Sequence, residues 1–456
     1  MKSLMFALAL SVAGCAPVPA TSNQSGRSQD DVLVATNFGA VGDGVTLNTA
    51  ALQRAIDACS AGGGGTLAIP AGRFVTGTIQ IRNGVTLRLA TDAALLGSTN
   101  AADYRNIDPF TDGTGAARGF ALITAVDAER VGIEGGVIDG RGADLRAAQG
   151  QSFAVRPFLI RWVRCKDVAV RDVQLRNGGA WTMHFFQSTN AIAERVTIRS
   201  RGLPNNDGID IDSSQDVRVS NCDIDTGDDA ICLKTTSALP CRKITVTGCQ
   251  LASRCAAIKL GTESLGDFEN IHVSLCKVHD THLGGIKLLS VDGAHLHDVV
   301  ISDITMDGVT VPIMLRLGAR LKTFQPGDTR RPPGELHDVS IRNISATNAQ
   351  QIGILISGIP GHPVEAVVLE NIKLRLAGGG QPDGKAGIPE KQDAYPEINM
   401  FGGKLPAYGM FARHVKGITL HNVEFSTKLP DARPAVVFQD VTESKTDGSI
   451  VPATLP

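Results

Sequence analysis

The sequence predicts an all-β solenoid of stacked parallel strands, closed at its N-terminal end by one short helix. Three observations carry this prediction. Cys222, Cys249 and Cys276 end the segments "VRVSNC", "ITVTGC" and "IHVSLC" at equal steps of 27 residues, and a fixed period of that size marks a repeat architecture. The same slot is filled by Val173, Val196, Ile304, Ile344, Ile372 and Val423, each after a short alternating run rich in β-branched residues and most after an Asn or Asp suited to a turn. Finally, 50 glycines against 4% aromatic residues imply many turns. No single unit can bury its apolar face, so stacking must pile the slot residues into one continuous core.

The elements follow in order. "MKSLMFALALSVAGC" has one Lys, an apolar run from Leu4 to Val12 too short to span a bilayer, and a Val-Ala-Gly-Cys ending at Cys15. It resembles a bacterial lipobox, which makes 1–15 a lipoprotein-type signal and Cys15 the lipidated residue. Residues 16–31, "APVPATSNQSGRSQDD", are too polar to fold and read as a tether. The chain is therefore expected to be exported, to meet the membrane only through an N-terminal lipid, and to carry a single domain over 32–456. In "NTAALQRAIDACSAGGGG", Asn48 or Thr49 is the expected N-cap of a helix with Leu52, Ile56 and Cys59 on one face. Such a helix would cover the open end of the coil. The glycines after it form a turn, since no Gly-Lys-Ser/Thr follows.

In the repeats, evenly spaced cysteines are expected as small buried hydrophobes rather than disulfides; Cys232, Cys241 and Cys255 are not assigned. The steps from Ile304 to Ile344 and from Ile372 to Val423 exceed the period, which places insertions at 316–337 and 377–413. Insertions in solenoids gather on a binding face. The first is basic and the second holds Tyr395 and Tyr408, a combination suited to an acidic sugar chain. The net charge of −2 gives no global basic field, so nucleic acid is excluded as a partner.

The candidate chemistry lies in "NNDGIDIDSS" and "DTGDDAICLK". Asp207 and Asp228 are 21 residues apart, near one turn of coil, which would set them on neighbouring rungs about 4.8 Å apart. Asp228 and Asp229 can both line a cleft only at a bend, which Gly227 permits. Converging carboxylates have their pKa values pushed apart, leaving an acid and a base, the pair that glycosidic hydrolysis needs. Neighbouring rungs suggest a carboxylate gap shorter than the usual inverting one. A calcium site is the competing reading of clustered Asp oxygens, but isoleucines interrupt "DGIDIDSS" and no compact calcium loop is present.

The order "NND" at 205–207, "GDD" at 227–229 and "GIK" at 285–287, with "TNFGAVGDGVTLNTAALQRAIDAC" and "IPAGRFVTG" upstream, resembles the pectin-degrading polygalacturonase family, glycoside hydrolase family 28. The resemblance runs from about Asn37 to the last repeats. It implies a right-handed parallel β-helix and inverting hydrolysis of an acidic plant cell-wall polysaccharide or oligosaccharide, a galacturonan or rhamnogalacturonan, with no metal or other cofactor; the chain is expected to be a monomer, and the lipobox-like leader is what points to a bacterial membrane anchor. The resemblance also implies Asp228 as general acid, with Asp207 and Asp229 activating water, and Asn205 and Lys287 at the sugar. Where the family has Gly-His-Gly this chain has Cys255-Ala256-Ala257, and where it has Arg-Ile-Lys this chain has Gly285-Ile286-Lys287. The family's histidine and arginine are thus absent, and Lys259 and Glu263 in "IKLGTES" are expected at the sugar instead. His279 and His282 read as surface residues. The alternatives are a non-catalytic β-helix that binds carbohydrate or serves as an adhesin, and a calcium-dependent polysaccharide lyase.

Overall fold

The computed structural model describes residues 32–350, 352–382, 387–402, 405–447 and 453–455; the leader, Cys15 and the tether lie outside them. The chain winds into a right-handed parallel β-helix. Among the described strands the marked departure is an antiparallel hairpin, Asn106–Thr111 with Ala117–Val126.

The repeat slot is the spine of this coil. Ile304, Ile344, Ile372 and Val423 pair in register. Gln250 N donates to Cys222 O and Lys277 N to Cys249 O, both at 2.9 Å, which puts the three cysteines on successive rungs. Every slot residue from Val173 to Val423 is buried, and Cys222, Cys249 and Cys276 are free thiols.

The turn chemistry explains the recurrent Asn and Asp. The residue before each slot has positive φ: Asp172, Arg195, Asn221, Gly248, Leu275, Asp303, Asn343, Asn371 and Asn422. Left-handed backbone is costly for L-residues except Gly and, more mildly, Asn and Asp. The corner therefore selects these residues, with Arg195 and Leu275 tolerated. Stacking adds a ladder, in which Asn343 donates to Asp303, Asn371 to Asn343 at 3.1 Å and Asn422 to Asn371 at 2.8 Å.

Helix α1, Thr49–Ala61, buries Leu52, Ile56 and Cys59 as expected. Asn48 stands at its N-cap, but its side chain bonds Val41, Thr46 and Val75 instead of a helix N–H. A second helix, α2 at Gly142–Gln149, was not anticipated; it is short and buries only Gly142 and Leu145, too little for a readable apolar stripe.

The insertions are narrower than the period implied. Arg316 belongs to the strand Ile313–Leu317, and 410–413 begin the strand Met410–Leu429, because each insertion joins full-length strands on two sheet faces. Residues of both insertions, Arg320 from the first and Tyr395 and Glu397 from the second, reach the same part of the coil.

A slot filled by packing alone tolerates change of chemistry but not loss of volume. Cys249→Val should stay within about 1.5 kcal/mol of wild type and Ile344→Ala should lose about 2–5 kcal/mol. Denaturant midpoints measure both, and adding reductant should leave the wild-type midpoint unmoved.

Candidate active site

One sheet of the coil contains the strands Met183–Phe186, Ile209–Asp212, Ile231–Thr235, Ala256–Ser264 and Gly284–Ser290. Their alternate residues, such as Ile209 and Ile211 or Ile231 and Leu233, enter the core, so the residues between them point outward. Register aligns His184, Asp210, Cys232, Lys259 and Lys287 in one outward column and Phe186, Asp212 and Lys234 in the next. All of these outward residues are buried.

The predicted acids meet here. Gly227, Asp228 and Asp229 form the bend between the strands Asp223–Thr226 and Ile231–Thr235. A Cβ on Gly227 would lie 2.8 Å from Leu203 O, so the bend can pass the preceding rung only with glycine there. The rung partner of Asp207 is Asp229, not Asp228: Gly208 N donates to Asp229 O at 2.9 Å, whereas Asp228 N donates to Asn206 O at 3.3 Å. The turn is one residue longer than the spacing suggested. Asp207 and Asp229 are buried and Asp228 is half-buried at the surface of the cleft.

Cations divide the acids. Lys259 Nζ lies 2.7 Å from Asp229 Oδ2, and Ala256 N donates to Asp229 Oδ1 at 3.1 Å. Lys234 Nζ sits among Asp207 Oδ2 at 3.6 Å, Asp210 Oδ1 at 3.6 Å and Glu263 Oε2 at 3.5 Å, and 4.6 Å above the Trp181 ring. Burial pushes Asp229 up, but Lys259 and Lys234 outweigh it and hold the carboxyl below its ordinary value. Burial and the adjacent Asp229 raise Asp228. Burial, with Asp210 and Asp228 adding to it, raises Asp207 well above the carboxylate range. Asp210 is raised likewise by burial, which Lys234 only partly offsets. Burial opposes ionisation of Glu263 too, yet Lys234 and Lys259 bring it to about 2. The two adjacent carboxyls are thus pushed in opposite directions, Asp229 toward ionisation and Asp228 toward holding its proton.

Glu263 arrives through a register break. Leu233 pairs with Leu260 but Thr235 pairs with Ser264, so the extra residues Gly261 to Glu263 bulge outward opposite Lys234. The hairpin tip reaches over to meet it, with Gly113 N donating to Glu263 Oε1 at 2.9 Å. Both insertions add walls. Tyr395 Oη accepts from Thr262 Oγ1 at 3.0 Å, Glu397 Oε1 pairs with Lys287 Nζ, and Arg320 pairs with the buried Asp292.

The expected sugar contacts are thus held by the protein's own groups: Lys259 by Asp229, Glu263 by Lys234, and Lys287 by Glu397. Asn205 accepts from Arg156 Nη1 at 3.1 Å at the rim of the cleft. Its neighbour Asn206 is structural, donating to Gly178 O and Ala180 O. His279 and His282 are exposed, as expected. Sequence reasoning missed Lys234, although its alternation with Leu233 placed it on the same face as Asp210 and Asp212. It also missed His184, buried against Phe110, Phe158, Trp181 and Phe186 and pushed by burial down to about 4, and Glu397, which no motif marks.

Cys255 occupies the place next to Asp228, its Sγ within 4.8 Å of carboxylate oxygens of Asp228 and Asp229. The donor set does not suit a hard cation: it offers one thiol and two carboxylates, and one of those carboxylates already holds an ammonium.

A sequence model described as glycosyl hydrolases family 28 matches residues 59–390. The chain is 29% identical over 367 residues to a probable polygalacturonase of Vitis vinifera, covering 75% of this chain and 74% of that one. It is 31% identical over 250 residues to an exo-poly-alpha-D-galacturonosidase of Dickeya chrysanthemi, covering 44% of this chain and 41% of that relative. A solved structure, the family 28 exopolygalacturonase of Yersinia enterocolitica, superposes with a TM-score of 0.73 at 21% identity, covering 93% of this chain and 80% of that one. At that identity the likeness is one of fold.

Asp210 supplies a test of the electrostatics, since its folded pKa is raised above the unfolded value. The folded state then binds more protons, so this carboxyl costs stability increasingly as pH rises from about 4. Asp210→Asn should therefore be neutral near pH 4 and stabilising near pH 7, by on the order of 1–3 kcal/mol. Urea unfolding at both values measures the difference; a variant less stable at pH 7 than wild type would refute it.

Proposed function

The chain belongs to glycosyl hydrolase family 28 and is a glycoside hydrolase acting on O-glycosyl bonds, and from this premise we propose that it cleaves pectin-type chains by single displacement with Asp228 as acid and Asp229 as base. The observation that carries the assignment is the pairing of Lys259 with Asp229 and not with Asp228. It leaves one carboxyl able to give a proton and its neighbour able to take one.

In this reading Asp228, the more accessible of the two, gives its proton to the glycosidic oxygen as the bond from that oxygen to the anomeric carbon breaks. A water attacks the anomeric carbon and passes its proton to Asp229. Asp207, opposite Asp229 on the neighbouring rung and raised by burial, orients that water by hydrogen bonding; the role of base narrows to Asp229. No bond forms between sugar and protein, so the product anomer is inverted. The substrate class is supported by the polygalacturonase relatives, and the walls formed by both insertions suit a sugar chain lying across the rungs.

Export belongs to the same proposal. A lipid on Cys15 and a 16-residue tether would hold the coil at a bacterial membrane, and Cys15→Ser should move the protein from the membrane to the soluble fraction. An unmoved fraction would remove the anchor from the reading.

Asp228→Asn should lower kcat for reducing-end release by about 10²–10⁴-fold while oligosaccharide binding by calorimetry persists, and a chelator should change neither. The rate should fall as pH drops through the depressed value of Asp229 and as it rises through the elevated value of Asp228. Proton NMR of the first-formed anomer gives the stereochemistry; a retained anomer would overturn single displacement.

A further inference from the structure

We propose, resting on the reading above, that the sugar unit seated over the Lys287 rung is uncharged, and that Glu397 makes it so. Lys287 is the last cation in the outward column that runs from Asp210 through Cys232 and Lys259. It is 1% exposed, and its ammonium is already matched by Glu397 Oε1. The second oxygen, Glu397 Oε2, is buried and has no hydrogen-bond partner among the described residues. A sugar carboxylate arriving here meets a carboxylate in front of the ammonium, whereas a hydroxyl meets an acceptor that lacks a donor.

Glu397 is not a side chain waiting to swing away. Its neighbours Ile398 and Phe401 pack with Leu289, Met314, Leu355 and Phe411 in an apolar cluster on the outer face of the sheet. Arg316 reaches out to Glu390 O at 3.2 Å and Lys391 O at 3.1 Å, and Arg413 Nη1 donates to Ile388 O at 2.9 Å. The segment that carries Glu397 is thus fastened to the coil on both charged and apolar terms.

Among the described residues, two neighbouring cations of the cleft are already engaged. Lys259 is taken by Asp229, and Arg320 by Asp292 and by Thr262 O at 3.1 Å. A side chain cannot be added at the preceding positions: a Cβ on Gly285 would stand 2.5 Å from Met306 Sδ and 2.8 Å from Pro312 O, and one on Gly284 2.8 Å from Lys287 Cε. Cations bonded to neutral acceptors sit farther along the cleft, Arg156 on Asn205 Oδ1 and Lys322 on Gly113 O. These can take acidic units on the flanks, so the cleft is built for a chain in which acidic and uncharged sugars both occur.

The test compares two oligosaccharides of equal length, one of galacturonic acid alone and one alternating galacturonic acid with a neutral deoxyhexose, for reducing-end release by wild type and Glu397→Gln. The wild type should favour the alternating chain by about tenfold or more in kcat/KM, and the variant should lose about tenfold of that preference through a lower KM for the all-acid chain. Since Glu397 also pins Lys287, the preference is read a second time on Asp228→Asn, which should bind the alternating chain more tightly by calorimetry. A wild type that favours the all-acid chain, or a Glu397→Gln ratio equal to wild type, overturns the proposal and leaves the hydrolase reading standing. A folded wild type that neither cuts nor binds either chain overturns the pectin reading and the proposal with it.

Discussion

Parallel stacking in register governs everything else in this molecule. Rungs about 4.8 Å apart force each outward side chain to live beside its equivalents on the rungs before and after it. In the core this yields ladders of like apolar groups, such as Ile304, Ile344, Ile372 and Val423. On the cleft face the same rule would pile carboxylate on carboxylate. Instead Asp210 is followed by Cys232 and then by Lys259 and Lys287, and acids in one column are met by ammonium groups reaching across from the next.

Burial then turns proximity into function. Charges of this kind on an open surface would be screened and worth little. Here the hairpin tip at Gly113 and the segments bearing Tyr395, Glu397 and Arg320 cover the column, so each pairing decides a protonation state. Lys259 pairs with Asp229, and the adjacent carboxyls are pushed apart, Asp229 down and Asp228 up. Isolated buried ion pairs are poor devices for stability; a cluster of them under one face of a coil is better understood as the cost of keeping proton donors and acceptors ready.

The departures from the family's motif acquire a physical sense in the same way. A thiol, Cys255, stands next to Asp228 where the family resemblance leads one to expect a histidine, and Lys259 supplies a nearby positive charge from the adjacent strand. Gly285 stands where the family resemblance leads one to expect an arginine, in a space that Met306 and Pro312 have closed. The cations that line this part of the cleft are engaged with the protein's own acids.

By itself the sequence determined the coil, because the fold is periodic and its causes recur. The slot residues, the left-handed corners that select Asn, Asp and Gly, and the capping face of Leu52, Ile56 and Cys59 each leave a mark at a readable spacing. It also determined that Asp207, Asp228 and Asp229 converge, since a one-turn separation and a glycine-led bend are local. Only the tertiary structure decided which acid faces which: a single extra residue moved the rung partner of Asp207 from Asp228 to Asp229. Only it brought in Glu263, through a bulge that breaks the register, and Glu397, from an insertion 110 residues away from Lys287. Pairing across rungs depends on register to the residue and on which insertion folds over which column, and neither leaves a periodic trace in the chain.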